Sequence, residues 1–320
     1  MRAILGAFAT IVLCLTAPAR AQEWPQRQVT IVVPFGAGGS ADLLARLLAN
    51  HLQAKYGTPF VIENRPGAGG STGTGYVAKA PADGATLLLG TVSSIAVNAA
   101  LYKKLPFDVD RELQPISQLV SFPNLLVVDP KLPVRDIPQL IGYLKANEGK
   151  INYGSSGLGT SSHLSVVMLE RAIGTKMTHV PFRSTGEVVN SMLGGNIQLA
   201  IDSMTTIWPQ AEAGQVRALG VSTPRRSPSA PDVPAIGETV QGYEAVAWQG
   251  LFAPAGTPRP VVDRIAAEVR RIWALPEVVT ALTKLGAEPV VSTPDEFTAF
   301  CRAERAKWAE VVKAAGVQID

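Results

Sequence analysis

The stretch 29–52 constrains the fold of this chain more than any other. Val29–Val33 is an unbroken run of β-branched and apolar residues, which predicts a strand buried on both faces. Pro34 and the glycines up to Gly39 interrupt that strand, because proline lacks an N–H and glycine tolerates positive φ. Ser40 is suited to cap the leucine-rich helix that follows. The stretch therefore predicts a buried strand, a glycine loop and a helix start whose free N–H groups can hold an anion.

A second stretch repeats this arrangement in the middle of the chain. Ile151–Gly154 is a short strand-like run, 155–162 is a loop of small residues, and 163–173 has apolar residues at helical spacing. Short apolar strands alternate with helices elsewhere, a pattern typical of parallel sheets covered by helices. The sequence therefore predicts an α/β fold.

The recurrence predicts two lobes, each a sheet flanked by helices. We expect the first lobe to comprise 22–121 plus 246–320 and the second to comprise 122–245, so that the chain crosses between them twice. A chain of 320 residues is long enough for two cores. Since open α/β sheets bind ligands beyond the carboxyl ends of their strands, the cleft between the lobes is the expected site.

The first residues have the three parts of a secretory signal peptide. Arg2 supplies a positive charge, 7–17 is apolar, and Ala19-Arg-Ala21 is a small-residue cleavage site. We expect cleavage after Ala21, so that Gln22 begins the mature protein. Cys301 would then be the one remaining cysteine, and an exported protein without disulfides fits a bacterial periplasm.

Composition argues against several classes of protein. The apolar fraction of 47% and the charged fraction of 17% suit a globular protein. The net charge of +3 gives no indication of a nucleic-acid or membrane-surface partner. The three histidines are scattered at 51, 163 and 179 without a metal-binding motif, so we expect neither metal nor cofactor.

Two motifs leave enzymatic alternatives open. Gly36–Ala41 matches G-x-G-x-x-A, the fingerprint of dinucleotide-binding oxidoreductases, and Glu63 ends the next strand, where a ribose-binding acid would stand. Ser156 and His163 would serve a secreted serine hydrolase, although Leu158 breaks the G-x-S-x-G pattern around the serines.

Polar residues at the strand ends add to the candidate site. Thr91 and Ser93 follow the third strand, where a ligand in the cleft would be within reach. Asp202 ends another strand, where it is equally suited to contact a ligand or to cap a local turn. Arg183 is equally suited to face the cleft or the solvent.

The chain resembles the Bug family, the solute receptors of tripartite tricarboxylate transporters, over essentially all of 24–320. The motifs that carry the resemblance are Trp24-Pro25, Val29–Gly39, Val61–Gly70, Asp83–Leu88, Tyr153–Gly157, Gly159–Leu164, His179–Pro181, Pro231–Pro234 and Phe252–Pro258.

The resemblance implies a two-lobed "Venus flytrap" that binds a small carboxylate in the periplasm and catalyses no reaction. It also implies a monomer whose partners are the ligand and the membrane subunits of a transporter. In the family, the first glycine loop and the Ser/Thr loop of the second lobe hold a ligand carboxyl. The corresponding residues here are Phe35, Gly38, Gly39, Ser40, Ser156, Gly159, Thr160 and Ser161.

Four positions depart from the family pattern. Leu158 stands where asparagine is common, Phe182 replaces the usual tyrosine, Ser184 the usual glycine and Glu187 the usual proline. These changes concern the part of the site that would hold the distal half of the ligand, whose identity the sequence leaves open.

Overall fold

The computed structural model describes residues 24–284, 286–316 and 318. Its strands are β1 (Val29–Val33), β2 (Phe60–Asn64), β3 (Thr86–Thr91), β4 (Leu113–Val128), β5 (Asn152–Ser155), β6 (Thr178–Pro181), β7 (Leu199–Ser203), β8 (Arg217–Val221), β9 (Val246–Pro254) and β10 (Glu288–Pro289). The signal-peptide prediction falls on residues outside the described part.

Helices pack on both sides of these strands. They are α1 (Ser40–Tyr56), α2 (Ser71–Ala78), α3 (Asn98–Leu101), α4 (Val109–Glu112), α5 (Ile137–Ala146), α6 (Ser161–Ile173), α7 (Thr185–Leu193), α8 (Met204–Glu212), α9 (Arg259–Trp273), α10 (Pro276–Lys284) and α11 (Pro294–Ala315). Short 3₁₀ turns lie at Ala68–Gly70 and Ile236–Glu238, and a π-helical turn lies at Ser93–Val97. None of the described helices has the length and apolarity of a membrane span.

The strands join in the order β2-β1-β3-β9-β4-β7-β5-β6, with β8 and β10 also paired to β4. Pairing is parallel within β2-β1-β3 and within β7-β5-β6. Antiparallel pairing joins β9 to both β3 and β4. The predicted α/β architecture is therefore present, with a mixed rather than purely parallel sheet.

Strand β4 connects the two halves of this sheet. Its first part, Leu113–Pro123, pairs with β9, whereas its last part, Asn124–Val128, pairs with β7 and β8. The predicted lobe boundary at 121/122 falls within this strand, and the second boundary at 245/246 falls where β9 begins. The exact division into lobes stays a prediction.

Buried side chains form two clusters, and the larger one extends from the first half into β5, α6 and β7 of the second. The larger is built around β1, β3, β9, α1 and α11, with Ile31, Leu44 and Phe297 fully buried. Gly250 permits this packing, because a Cβ atom there would lie only 2.6 Å from Phe297 Cε1. The smaller cluster lies between β4, α7 and α8, and includes Leu125.

Candidate functional site

A cavity of about 50 Å³, the inner cavity, lies where the two halves of the molecule meet. From the first half, the start of α1, the end of β3 and the strand β9 line it. From the second half, the β5–α6 loop and the starts of α7 and α8 line it. These elements end at one place because parallel strands direct their carboxyl ends, and the following helix starts, to the same edge of a sheet.

Eight of the twelve candidate residues line this cavity. They are Phe35, Gly39, Ser40, Thr91, Ser93, Ser156, Ser161 and Asp202. Gly38, Gly159 and Thr160 lie in the same loops but do not line it, and Arg183 lines a neighbouring pocket. Their contact with a ligand stays a prediction.

Ser40 does not cap α1, contrary to the sequence-based expectation. The N-cap is Gly39, and no side chain caps the helix. The Ser40 hydroxyl instead accepts a hydrogen bond of 2.7 Å from Nε2 of Gln249. Because the first N–H groups of a helix have no partner within it, the main chain of Gly39–Ala41 presents donors where it lines the cavity.

The N–H of Gly38 already donates a hydrogen bond to a side chain of α1. It donates to Oδ2 of Asp42 at 3.1 Å. Burial raises the pKa of Asp42, but hydrogen bonds from Arg46, Gly38 and Asn64 outweigh it, so that the pKa lies below its usual value. Gly38 also has φ of 80°, a conformation that favours glycine. Its role is therefore to shape the loop.

The loop between β5 and α6 is held by bonds within itself. Thr160 caps α6, because its Oγ1 accepts from His163 N at 3.4 Å and donates to Gly157 O at 2.8 Å. The N–H of Gly159 donates to Nδ1 of His163 at 3.1 Å. Gly159 and Thr160 thus build the loop that carries Ser156 and Ser161 to the cavity.

Asp202 joins three segments of the second half. Its carboxylate accepts hydrogen bonds from Thr185 Oγ1 at 2.9 Å, Ser203 N at 2.7 Å and Ser156 N at 3.1 Å. Burial raises its pKa, and these donors offset only part of that rise. Of the described residues that line the inner cavity, Asp202 is the one with an ionisable side chain. It therefore both organises the loops and faces the cavity.

Two buried polar atoms at the cavity lack a partner within the described structure. They are the Ser203 hydroxyl and Oε1 of Gln249, whose residues are 4% and 2% exposed. A buried polar atom without a partner costs free energy that a bound polar group can recover. The sequence patterns did not indicate these two residues, nor Asn124 and Thr185, which also line the cavity.

The hydrolase pairing of Ser156 with His163 is absent. Ser156 Oγ contacts Ser162 Oγ at 2.9 Å, and Nδ1 of His163 accepts from the Gly159 main chain. A different serine, Ser155, lies 2.6 Å from Nε2 of His179, but it is fully buried. The described site therefore holds no accessible serine paired with a base.

The glycine loop also differs from a dinucleotide site. The N–H of Gly36 donates to Arg183 O at 3.0 Å, so the loop closes against the second half of the molecule. Glu63, the proposed ribose-binding acid, forms an ion pair of 2.7 Å with Arg65. Among the described residues there is no cluster of His, Cys, Asp and Glu that could hold a metal ion.

Comparison with known proteins identifies the family. The model of the tripartite tricarboxylate transporter family receptor, TctC, matches residues 44–317. The chain belongs to this family. BugT of Bordetella pertussis is 35% identical, over 95% of this chain and 94% of its own length. The resemblance to Bug proteins is thereby confirmed.

Solved structures of relatives confirm the fold of TctC-type receptors. A structure titled as an R. palustris protein with adipate has 37% identity and a TM-score of 0.90, covering 92% of this chain and 99% of its own. MatC from Rhodopseudomonas palustris, solved with bound malate, has 33% identity and a TM-score of 0.85, covering 90% and 100%. The α/β periplasmic-receptor architecture is therefore shown for this chain.

Proposed function

We propose that this TctC-family receptor captures a small carboxylate in the inner cavity and delivers it, unchanged, to the membrane subunits of a tripartite tricarboxylate transporter. The observation that carries the proposal is the convergence of helix starts on buried polar atoms without partners. The starts of α1, α7 and α8 meet there, beside Ser203 Oγ and Gln249 Oε1. The main-chain N–H groups of the helix starts and the Ser203 hydroxyl are neutral donors for an anionic group, whereas Gln249 Oε1 can only accept a hydrogen bond, as from a hydroxyl group or a water bound with the ligand.

The electrostatics of the cavity favour reversible binding. No lysine or arginine is among the described residues that line it. Hydrogen bonds from main-chain N–H and hydroxyl groups to a carboxylate each contribute about 1.5–3 kcal/mol. A few such bonds hold an anion firmly, yet allow its release when the halves separate. The buried Asp202 would repel a carboxylate, so we place the ligand carboxyl beside α1 instead.

The contacts between the halves support capture by closure. The N–H of Ser161 donates to Ser93 Oγ at 2.8 Å, and the N–H of Gly36 donates to Arg183 O. Both bonds link the proposed lobes, 22–121 plus 246–320 and 122–245. A ligand between them would strengthen the closed form, which gives the transporter a shape to recognise. We propose that the receptor acts as a periplasmic monomer and has no catalytic activity.

A thermal-shift screen of small carboxylates tests the proposal, because a ligand of the folded state raises the melting temperature. Any ligand found is then titrated by calorimetry into the wild type, Gln249→Leu and the control Gln114→Leu. Gln114 is a partly buried residue of β4 that does not line the cavity. We expect a 1:1 complex that Gln249→Leu weakens at least tenfold, because leucine cannot donate the hydrogen bond that holds the Ser40 hydroxyl at the start of α1. The control should not weaken the complex, and the ligand should be recovered chemically intact. Turnover of the ligand, or no stabilisation by any carboxylate, would contradict the proposal.

A further inference from the structure

A second cavity adjoins the inner one on the outer side of the cleft. This outer pocket has a volume of about 240 Å³. Phe35 and Ser156 line both cavities, so the two adjoin at these residues. A ligand held in the inner cavity would therefore extend between Phe35 and Ser156 into the outer pocket.

The lining of the outer pocket is mainly apolar and aromatic. Three aromatic side chains, Phe35, Tyr102 and Phe182, contribute to it, together with Leu158, which is 46% exposed. Arg183 is the one charged residue among those described that line it. The inner cavity is also lined by three aromatic residues, Phe35, Phe122 and Trp248, but it adds several serines and threonines, an asparagine, a glutamine and Asp202. Apart from Ser156, the outer pocket has none of these residue types. The two cavities therefore suit chemically different ends of one ligand.

The volumes of the two cavities determine which end of the ligand each can hold. A protein cavity that binds benzene measures about 150 Å³. The outer pocket exceeds this size, at about 240 Å³, whereas the inner cavity, at about 50 Å³, is too small for a ring. The inner cavity has room for a carboxyl group and a few waters, since one water needs roughly 10–15 Å³.

We infer that the ligand is an aromatic carboxylate, with its carboxyl group in the inner cavity and its ring in the outer pocket among Phe35, Tyr102 and Phe182. This inference rests on the proposed function and adds the chemical class of the ligand. Aromatic rings pack favourably edge to face or offset against other rings. A rigid ring also loses less conformational freedom on binding than a flexible aliphatic chain of similar size.

The side chains of the outer pocket offer few donors to the second carboxylate of a linear diacid. Its side chains supply the Tyr102 and Ser156 hydroxyls and Arg183, and the Ser156 hydroxyl already contacts Ser162. Arg183 is exposed, so any ion pair that it forms with a ligand would be weakened by water. The ring surfaces, rather than the charge, should therefore determine selectivity.

Calorimetric titration of the full mature protein with benzoate and with adipate tests this inference. We expect benzoate to bind at least tenfold more tightly than adipate. Tyr102→Leu and Phe182→Leu should each weaken benzoate several-fold and leave adipate nearly unchanged, while keeping an apolar side chain for packing. The control is Tyr143→Leu, which changes a half-buried tyrosine of α5 that lines neither cavity.

The outcomes separate this inference from the proposed function. Tighter binding of adipate than of benzoate would overturn the aromatic class and leave the carboxylate receptor intact. If Tyr102→Leu lowered the affinities for benzoate and adipate equally, the inference would also be overturned, because the outer pocket would then not distinguish an aromatic ring from an aliphatic chain. If benzoate, adipate and every other carboxylate failed to bind, the proposed function itself would fall.

Discussion

Acidification should destabilise the folded protein through two stacked histidines in the second half. The ring centroids of His163 and His179 lie 4.1 Å apart, and Tyr153 stacks at 4.9 Å from His179. Burial and, to a smaller extent, the charge of a protonated His179 together lower the pKa of His163 to about 3. Burial likewise lowers the pKa of His179 to about 4. Both imidazoles are therefore neutral in the folded protein at neutral pH.

The size of the effect follows from the difference between the folded and unfolded states. An unfolded histidine takes up its proton near pH 6.5, whereas these two do so only near their lowered folded pKa values. Between those values the unfolded state binds more protons, so stability is full above about pH 6.5 and is lost as the pH falls. At pH 5 the loss is about 2 kcal/mol for each histidine.

Urea unfolding at pH 7.5 and pH 5 measures this loss. We expect the free energy of unfolding of the wild type to fall by about 4 kcal/mol from the two histidines, and that of His179→Gln by about half as much. His51→Gln, a substitution on α1 outside the stack, is the control. Comparison between variants removes the contribution of carboxylates, which is common to all three. An equal fall in the wild type and in His179→Gln would refute the reasoning.

Three further predictions concern single sites. Ser203→Ala removes a buried hydroxyl that has no partner, so urea unfolding should show unchanged stability, whereas calorimetry should show ligand affinity lower by about 1 kcal/mol or more. A clear loss of stability without loss of affinity would argue against a ligand contact. Thr160→Ala removes the cap of α6 and should lower stability by about 1–2 kcal/mol, and an unchanged urea midpoint would contradict this. Mass spectrometry of the exported protein should find Gln22 at its N-terminus, and retention of 1–21 would disprove cleavage after Ala21.

Local pattern was sufficient to predict the main strands and helices. The apolar residues of β1 form one continuous run, and the leucines of α1 recur at helical spacing. Each element can therefore be recognised from its local sequence, without tertiary information. The sequence pattern did not predict α8, because Pro209 lies in its interior, where proline removes a main-chain hydrogen bond. Burial of Met204 and Ile207 offsets that cost in the folded chain.

The site was only partly predictable, because its contacts join distant parts of the chain. Ser40 looked like a helix cap, yet its partner, Gln249, lies 209 residues further on. Ser203 and Thr185 carry no motif, and only the fold brings them to the start of α1. The glycine loop could be recognised from the sequence, because the strand, the glycines and the helix start that form an anion-binding site there are adjacent in the chain. Site residues that come from distant strands, such as Ser203 and Gln249, have no comparable local motif.

A crystal structure of the protein with a bound carboxylate tests the central claim most directly. The ligand carboxyl should lie in the inner cavity, with its oxygens about 2.7–3.1 Å from main-chain N–H groups of Gly39–Ala41. One of them should also be bonded to Ser203 Oγ. A carboxylate found outside the inner cavity, with the Ser203 hydroxyl still without a partner, would contradict the account.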